Sequence, residues 1–319
     1  MGNYSNEIIR RLQSAGFRAA FLPYACIEQI GAFYDELSGN NDDAPFIRGA
    51  AQRFHDLNKP GREFEPLSFL IVACPSELTQ VALQTGNGRH TVPIPPTYLG
   101  YISERQRLED AIKSTDGNCQ IAHTEGISHK LLAVCCGLGR FGRNNICYVE
   151  GLGSYCSLHA YYTDIPCEGE YRPPAFLDEC ETCKLCENNC PTGVIGKNPY
   201  IDATRCLTIL NERRDPMPDW LPRDVHHTLI GCMRCQEVCP YNAALTQKVA
   251  RTLELDAAET RALLSSSADA QPMSSADAQP TSSADALPPE LVKKFHDFGM
   301  HDHFVSVIGR NAKLFLGNT

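Results

Sequence analysis

Hydrophobic and polar positions along the first 165 residues follow helix and strand periods in turn. The stretch SNEIIRRLQSAGF is amphipathic at helical spacing, with a capping residue at Ser5 and a terminating glycine at Gly16. The runs FRAAFLPY and LSFLIVACP are rich in aliphatic and aromatic residues, which is typical of strands. Helical spacing returns in TYLGYISERQRLEDAIKS and ISHKLLAVCCG, and short strands are predicted in NCQIAHTEG and NICYVEG. These patterns predict an α+β protein with an N-terminal α/β sheet domain over residues 1–165.

Two further segments follow this domain. Residues 166–245 are rich in cysteine, and residues 246–319 are predicted to form a helical C-terminal segment, starting with KVARTLELDAAETRALL. An eight-residue unit, SSADAQPM, is repeated in tandem from Ser266 with small changes. Such small, polar and proline-containing units bury too little surface to offset chain entropy. They predict a disordered linker at about 265–289, after which PELVKKFHDFGMHDHF resumes helical spacing.

The amino-acid composition is typical of a globular protein and argues against several other classes. Hydrophobic residues make up 43% and charged residues 21% of the chain, as in soluble globular proteins. No apolar run has the roughly eighteen residues that a membrane span needs, and charges within the first residues argue against a secretory signal. We therefore expect a cytoplasmic protein without a membrane partner. The formal net charge of −9 argues against sequence-independent nucleic-acid binding.

Cysteine spacing carries the strongest chemical signal. Eight of the sixteen cysteines fall between positions 180 and 239: seven form two runs that each end in Cys-Pro, and Cys206 lies between the runs. In two-cluster ferredoxins, three closely spaced cysteines bind one [4Fe–4S] cluster, and the cysteine before proline binds the other cluster. This exchange assigns Cys180, Cys183, Cys186 and Cys239 to one cluster, and Cys190, Cys206, Cys232 and Cys235 to the other. Zinc sites and disulfides are the alternatives, but neither calls for triplets closed by Cys-Pro.

The remaining eight cysteines lie singly or in one adjacent pair within apolar stretches, which indicates buried core thiols. They are Cys26, Cys74, Cys119, Cys135, Cys136, Cys147, Cys156 and Cys167. A glycine-rich stretch, GLGRFGRN, begins at Gly137 and has the G-x-G-x-x-G spacing of dinucleotide loops. It follows a predicted helix and precedes a predicted strand, the reverse of a dinucleotide site, so a nicotinamide or flavin site is the weaker interpretation and a tight turn that needs positive φ is the alternative.

From Leu132 to Asn242 the sequence resembles the epoxyqueuosine reductases, relatives of the corrinoid reductive dehalogenases. The blocks that carry the resemblance are LAVCCGLGRFGRNN, GLGSYCSLHAYYTDIP, CPTGVI, IDATRCLTIL and GCMRCQEVCPYN, in that order around the eight cysteines. The resemblance implies a cobalamin held without its lower base ligand above the clusters. It also implies an external electron donor, a ferredoxin or flavodoxin, and a substrate that in the named enzyme is an epoxide on a modified tRNA base.

The resemblance further implies which residues bind the cofactor and transfer the proton. Cofactor contacts are expected from Gly137, Leu138, Gly139, Gly142, Arg143, Leu158 and Tyr161. Where the family has its acidic proton donor, this chain has His123, followed two residues later by Glu125; either could deliver a proton, or both could be a polar pair at a strand end. The resemblance thus implies an enzyme, an iron–sulfur oxidoreductase that passes electrons through two [4Fe–4S] clusters to a cobalamin that reduces a substrate. Two alternatives to this function stay open: an electron-transfer protein without catalysis of its own, and a strict epoxyqueuosine reductase acting on tRNA.

Overall fold

Helices occur in all three predicted segments of the chain, and the strands of the described residues lie in the first and third segments. The computed structural model describes residues 2–39, 45–57, 64–115, 118–196, 200–245, 248–266 and 287–317. The strands in these ranges are β1 (Arg18–Pro23), β2 (Ser68–Pro75), β3 (Leu78–Thr85), β4 (Gly88–Ile94), β5 (Ile121–His123), β6 (Gly139–Phe141), β7 (Cys147–Val149), β8 (Cys156–Thr163) and β9 (Val249–Glu254). The helices are α1 (Gly2–Ser14), α2 (Ile27–Gly39), α3 (Pro45–Leu57), α4 (Tyr101–Lys113), α5 (His129–Cys135), α6 (Leu185–Asn188), α7 (Leu207–Glu212), α8 (Arg234–Glu237), α9 (Pro240–Ala243), α10 (Ala257–Ser265), α11 (Pro289–Phe298), α12 (Asp302–Val305) and α13 (Ile308–Leu316).

The central sheet has the strand order β1-β2-β8-β5, and every neighbouring pair is antiparallel. Strand β2 is buried along almost its whole length, because helices cover both faces of the sheet. Its residues alternate between two cores. Phe69, Ile71 and Ala73 pack with α2, α3 and α5, while Leu70 and Val72 pack with α1 and α4. The mixed composition confirms the predicted α+β class.

A second sheet joins distant parts of the chain. Its order is β4-β3-β9, with β3 and β9 parallel, and α10, α11 and α13 contribute to its apolar core. The helix predicted from residue 248 is therefore wrong for its first half, where Val249–Glu254 is a strand, and correct for α10. Pairing with β3, more than 160 residues earlier, overrides the local helical pattern. The sheet joins stretches that the sequence assigned to different domains.

The cysteine-rich segment links the two sheets along the chain. Cysteine-containing turns and the short helices α6 to α9 form the segment between β8 and β9 and have a small apolar cluster of their own. Asn311 of α13 anchors this region, since its amide donates to the carbonyl oxygens of Asn211 and Leu229 at 2.8 and 3.0 Å. Most of the predicted linker at 265–289 lies outside the described residues. Among the residues that are described, no helix has the length and apolar character to cross a bilayer.

Candidate iron–sulfur and cofactor site

Two neighbouring cavities divide the eight clustered cysteines between them. The smaller, of about 310 Å³, is lined by Cys180, Cys183, Cys186 and Cys239. The larger, of about 640 Å³, is lined by Cys190, Cys206, Cys232 and Cys235. Each cavity therefore collects one of the two ligand sets that the exchanged assignment predicts, including the distant Cys206.

Local backbone structure explains how the two runs exchange their last cysteine. Cys239 is the N-cap of α9, and Pro240 occupies the first helical position, where its missing N–H costs nothing. This turn directs Cys239 toward the smaller cavity, away from Cys235 earlier in the same run. The amide of Asn189 donates to the carbonyl of Arg234 at 2.6 Å, which ties the two runs together.

The pKa values of these thiols are shifted by burial and by other cysteines of the same cavity. Burial raises the pKa of Cys232 to about 12, and the neighbouring Cys206 and Cys190 raise it as well. Burial also raises the pKa of Cys186 to about 11, with contributions from Cys180 and Cys239. Such thiols become thiolates only beside a strong positive charge, which cluster iron supplies. Cys190 differs: burial raises its pKa, but hydrogen bonds, first from Thr192 and then from backbone amides, outweigh burial and lower it.

Arg143 holds the loop around the smaller cavity. Its Nε donates to the carbonyl of Cys183 at 3.1 Å, its Nη1 to that of Gly196 at 3.2 Å, and its Nη2 to those of Cys180 and Glu181. The side chain is 11% exposed. Arg143 lines the smaller cavity and not the larger one, so in this structure it supports the first cysteine triplet.

The glycines after α5 pack against the chain itself. Gly137 has φ +77°, and a Cβ there would lie 2.5 Å from the Arg172 guanidinium. A Cβ at Gly139 would lie 2.6 Å from the Cys147 Sγ, and one at Gly142 would lie 2.6 Å from the Tyr148 ring. The loop therefore needs glycine for its turn and its close packing.

The predicted cofactor contacts fall in three places. Of the seven, Leu158 lines the larger cavity, and Gly142 and Arg143 line the smaller one. Gly137, Leu138, Gly139 and Tyr161 line neither of these cavities, and Tyr161 is fully buried on the opposite side, in the core beneath α1 and α4. Cofactor binding by these residues stays a prediction.

Neither of the two predicted catalytic residues lines either cavity. His123 ends β5, and its Nε2 is 3.3 Å from the Tyr101 hydroxyl, which belongs to a residue lining the larger cavity. The pKa of His123 is lowered to about 3, mainly by burial and also by the neighbouring His129 and Arg105. His123 is therefore neutral near pH 7, and its hydrogen bond to Tyr101 connects it to the cavity wall. Glu125 is exposed and lines neither cavity, and the catalytic role of both residues stays a prediction.

Lys130 of α5 is a functional candidate that the sequence reasoning missed. It lines the larger cavity, and its Nζ donates to the backbone carbonyl of Asn145 at 2.8 Å and to the side-chain oxygen of the same residue. Burial lowers the pKa of the Lys130 ammonium to about 8. A charged residue inside the apolar stretch SHKLLAV was the available signal. Lys130 therefore places a proton-bearing group with a pKa of about 8 in the wall of the larger cavity, with Cys147 and Cys206 among its titratable neighbours.

The other eight cysteines are buried or partly buried in the described structure. Five are buried and three are partly buried in the described structure, and none of the eight lines the smaller cavity. Cys147 and Cys156 reach the wall of the larger cavity. The prediction of core thiols is therefore confirmed for Cys26, Cys74, Cys135, Cys147 and Cys156.

Comparison with known proteins agrees with the cysteine geometry. Residues 179–242 match the family described as a 4Fe-4S double cluster binding domain. The epoxyqueuosine reductase of Staphylococcus aureus is 31% identical over 119 residues, which are 37% of this chain and 30% of that protein. The epoxyqueuosine reductase of Bacillus subtilis is 30% identical over 138 residues, 42% of this chain and 35% of that protein. The alignments thus span about a third of the relatives' own length.

Solved structures extend the likeness to the fold. A structure of epoxyqueuosine reductase from Bacillus subtilis matches with a TM-score of 0.63 at 20% identity, over 98% of this chain and 81% of that one. A crystal structure of epoxyqueuosine reductase with an epoxyqueuosine-modified tRNA-Tyr stem loop matches with a TM-score of 0.61 at 18% identity, over 98% and 80% of the two chains. The predicted resemblance to the epoxyqueuosine reductases is confirmed, and the chain shares their fold.

Proposed function

We propose that this protein is an iron–sulfur oxidoreductase of the epoxyqueuosine reductase type, in which two [4Fe–4S] clusters pass electrons to a cobalamin in the larger cavity. The observation that carries the proposal is the position of one complete cysteine set on the wall of that cavity. A cluster held by Cys190, Cys206, Cys232 and Cys235 would border directly on whatever occupies the remaining space. The second set, around the smaller cavity, would continue the path toward an external donor.

The residues of the larger cavity fit a large cofactor with amide side arms. Its volume of about 640 Å³ lies within the range typical of ligand sites, and its wall is mainly apolar. Polar groups interrupt that wall at Asn144, Asn145, Thr192 and Gln236, whose amides and hydroxyl can pair with the amides of a corrin. When bound, cobalamin would supply a low-valent cobalt able to reduce a substrate.

The chain itself provides the proton-bearing groups. The ammonium of Lys130 and the hydroxyl-bearing residues Tyr101 and Ser157 line the cavity. In this proposal Lys130 Nζ holds a proton near neutral pH, while His123 Nε2 can exchange a proton with the Tyr101 hydroxyl. The apolar remainder of the wall excludes water from competing protonation of a reactive centre.

The substrate, donor and location are part of the same proposal. We take an epoxyqueuosine-modified tRNA as the first substrate to test, because a structure that shares this fold holds a stem loop of that kind. We take a ferredoxin or flavodoxin as the electron donor, as the resemblance implies, and the cytoplasm as the location.

The test is an anaerobic purification from cells supplied with cobalamin, followed by iron, sulfide and cobalt assays. About eight irons and one cobalt per chain, with a base-off corrinoid spectrum, would support the proposal. Leu158→Trp, which fills part of the larger cavity, should then lose cobalt but keep iron, whereas Leu67→Trp at a half-exposed position should keep both. Eight irons without cobalt, even after reconstitution, would refute the cobalamin proposal and leave an electron-transfer protein.

A substrate assay completes the test. The loaded protein, reduced chemically, is incubated with epoxyqueuosine-modified tRNA, and the nucleosides are analysed by mass spectrometry. Conversion to queuosine would establish the tRNA substrate. A cobalt-loaded protein without conversion would keep the reductase proposal and refute this substrate.

A further inference from the structure

A second group of metal-binding side chains lies between α4 and the central sheet, apart from the eight clustered cysteines. It consists of Cys74 of β2, Glu104 of α4 and His159 of β8. One ligand atom from each, a sulfur, a carboxylate oxygen and an imidazole nitrogen, lies within 4.8 Å of the other two. Cys74 and His159 are fully buried, and the Glu104 side chain is 20% exposed.

Strand register brings two of these residues to one face of the sheet. Cys74 pairs with Ser157 across the β2–β8 ladder, so these two side chains project to the same side, and His159 follows two residues later. The surrounding layer is otherwise apolar, with Val72, Leu108, Ile112 and Tyr161 among its members. The first turn of α4 places Glu104 over the polar group. A sulfur, an imidazole and a carboxylate thus converge where packing alone would favour aliphatic side chains.

The hydrogen bonds among these groups are incomplete. His159 Nε2 donates to Glu104 Oε2 at 2.8 Å, and the Ser157 hydroxyl donates to the same oxygen. The other imidazole nitrogen of His159 is buried and has no hydrogen-bond partner among the described residues. A deprotonated Cys74 beside the Glu104 carboxylate would repel it in this poorly solvated place. A bound dication would remove that repulsion and use the imidazole as a ligand.

We propose that Cys74, Glu104 and His159 form a site for a divalent transition metal of the zinc class. Zinc takes thiolate, imidazole and carboxylate ligands, and sites with three protein ligands leave one position open. In tetrahedral coordination the ligand atoms lie about 3.5 Å apart, so small side-chain rotations complete the site. The nearby Arg105 does not oppose the metal strongly, because Glu109 pairs with it at 2.7 Å.

The proposed site borders the larger cavity through Tyr101 and Ser157. Ser157 and Tyr101 both line that cavity, and the Tyr101 ring stacks on the His159 imidazole with 4.4 Å between ring centroids. Ser157 is thus the residue through which a metal at this position would meet the cavity contents. The inference does not depend on the proposed reductase function, since it concerns metal binding alone.

The experiment uses the protein with its clusters assembled, so that cluster cysteines are not available to zinc. Anaerobically purified protein is equilibrated with zinc chloride, exchanged into metal-free buffer, and assayed for zinc and iron together. We expect about one zinc per chain beside the full iron content, bound through one sulfur and otherwise nitrogen and oxygen in zinc-edge X-ray absorption. Cys74→Ala and Glu104→Gln should each weaken zinc binding at least about tenfold in a chelator competition.

The control is Cys26→Ala, which removes a buried thiol from the core on the opposite face of the sheet. It should keep zinc and iron at wild-type levels. If Cys74→Ala fails to fold, Glu104→Gln still decides, because Glu104 is partly exposed and changes only in charge. Absence of stoichiometric zinc in the wild type, equal retention in both site variants, or zinc bound by four sulfurs would overturn the proposal.

Discussion

Replacing Arg143 by lysine tests whether the loop after α5 supports a cluster. Lysine keeps the positive charge but lacks the planar fork that reaches several carbonyls at once. In the structure the guanidinium donates to the carbonyls of Cys180, Glu181, Cys183 and Gly196, all in or beside the first cysteine run. We expect Arg143→Lys to loosen that run and leave the other cysteine set intact.

The magnitude follows from the contacts that an ammonium cannot keep. A hydrogen bond from a charged donor contributes about 1.5–3 kcal/mol, and lysine can preserve one or two of the four. The four hydrogen bonds share one side chain and one of them is solvent-exposed, so their individual contributions do not add up. We estimate that the free energy of local opening falls by about 3 kcal/mol. At about 1.4 kcal/mol per factor of ten, the open fraction of the loop rises roughly a hundredfold.

Iron release to a chelator under anaerobic conditions measures that opening. In Arg143→Lys about half of the iron should leave roughly a hundredfold faster than in the wild type, and the rest at the wild-type rate. The matched control is Arg140→Lys in the same loop. The Arg140 side chain forms an exposed ion pair with Asp178 at 3.5 Å, so its replacement should change neither phase appreciably. Wild-type release from Arg143→Lys, or equal acceleration of all the iron, would refute the reasoning.

Three further predictions concern the buried lysine, the ligand exchange and the turn before β8. The native pKa of Lys130 is lowered from 10.5 to about 8, so between these values the unfolded chain holds a proton that the native protein has released. The free energy of unfolding should therefore rise by on the order of 2 kcal/mol between pH 8 and 10. Lys130→Met should lack this rise, and urea midpoints measured at the two pH values test the difference. The double variant Cys186→Ser/Cys190→Ser should lose nearly all iron, whereas ligand sets without exchange would leave about four irons per chain by direct assay. In Gly153→Ala, at φ +56°, the new Cβ would lie 2.3 Å from a side-chain oxygen on α9, so thermal unfolding should show a loss of stability of about 3 kcal/mol. In the control Gly193→Ala, at φ +63°, the Cβ has open space around it, so the loss of stability should be only about 1 kcal/mol.

Local patterns were sufficient wherever the chemistry lies in short, regular spacings. The helix at Tyr101–Lys113 and the strands Arg18–Pro23 and Ser68–Pro75 occur where hydrophobic periodicity predicted them. The two cysteine sets line two separate cavities, and Cys239 leaves its own run at a Cys-Pro turn that starts α9, a feature encoded within a few residues. Cys206 could be assigned only by elimination, and the structure places it with its predicted partners.

Long-range pairing was beyond those patterns. Strand β9 was predicted as helix because its apolar residues suit either period over a short run, and only its partner β3 decides between them. The same limit applies to the second core, which combines β3 and β4 from the first hundred residues with α10 to α13 from the last sixty-five. A sequence window does not contain that information.

The same contrast between local sequence pattern and long-range packing applies to the predicted site residues. Arg143 was predicted to contact a cofactor because of its place after a glycine loop, but its direction depends on where the first cysteine run folds back. His123 was predicted from its position relative to that loop, yet burial keeps it neutral and Tyr101 separates it from the cavity. Lys130 looked like one polar residue in an apolar helix and became a cavity residue only through the packing of α5. Sequence spacing thus predicts the eight cluster cysteines, whereas tertiary packing determines which other residues line the cavities or converge between α4 and the central sheet.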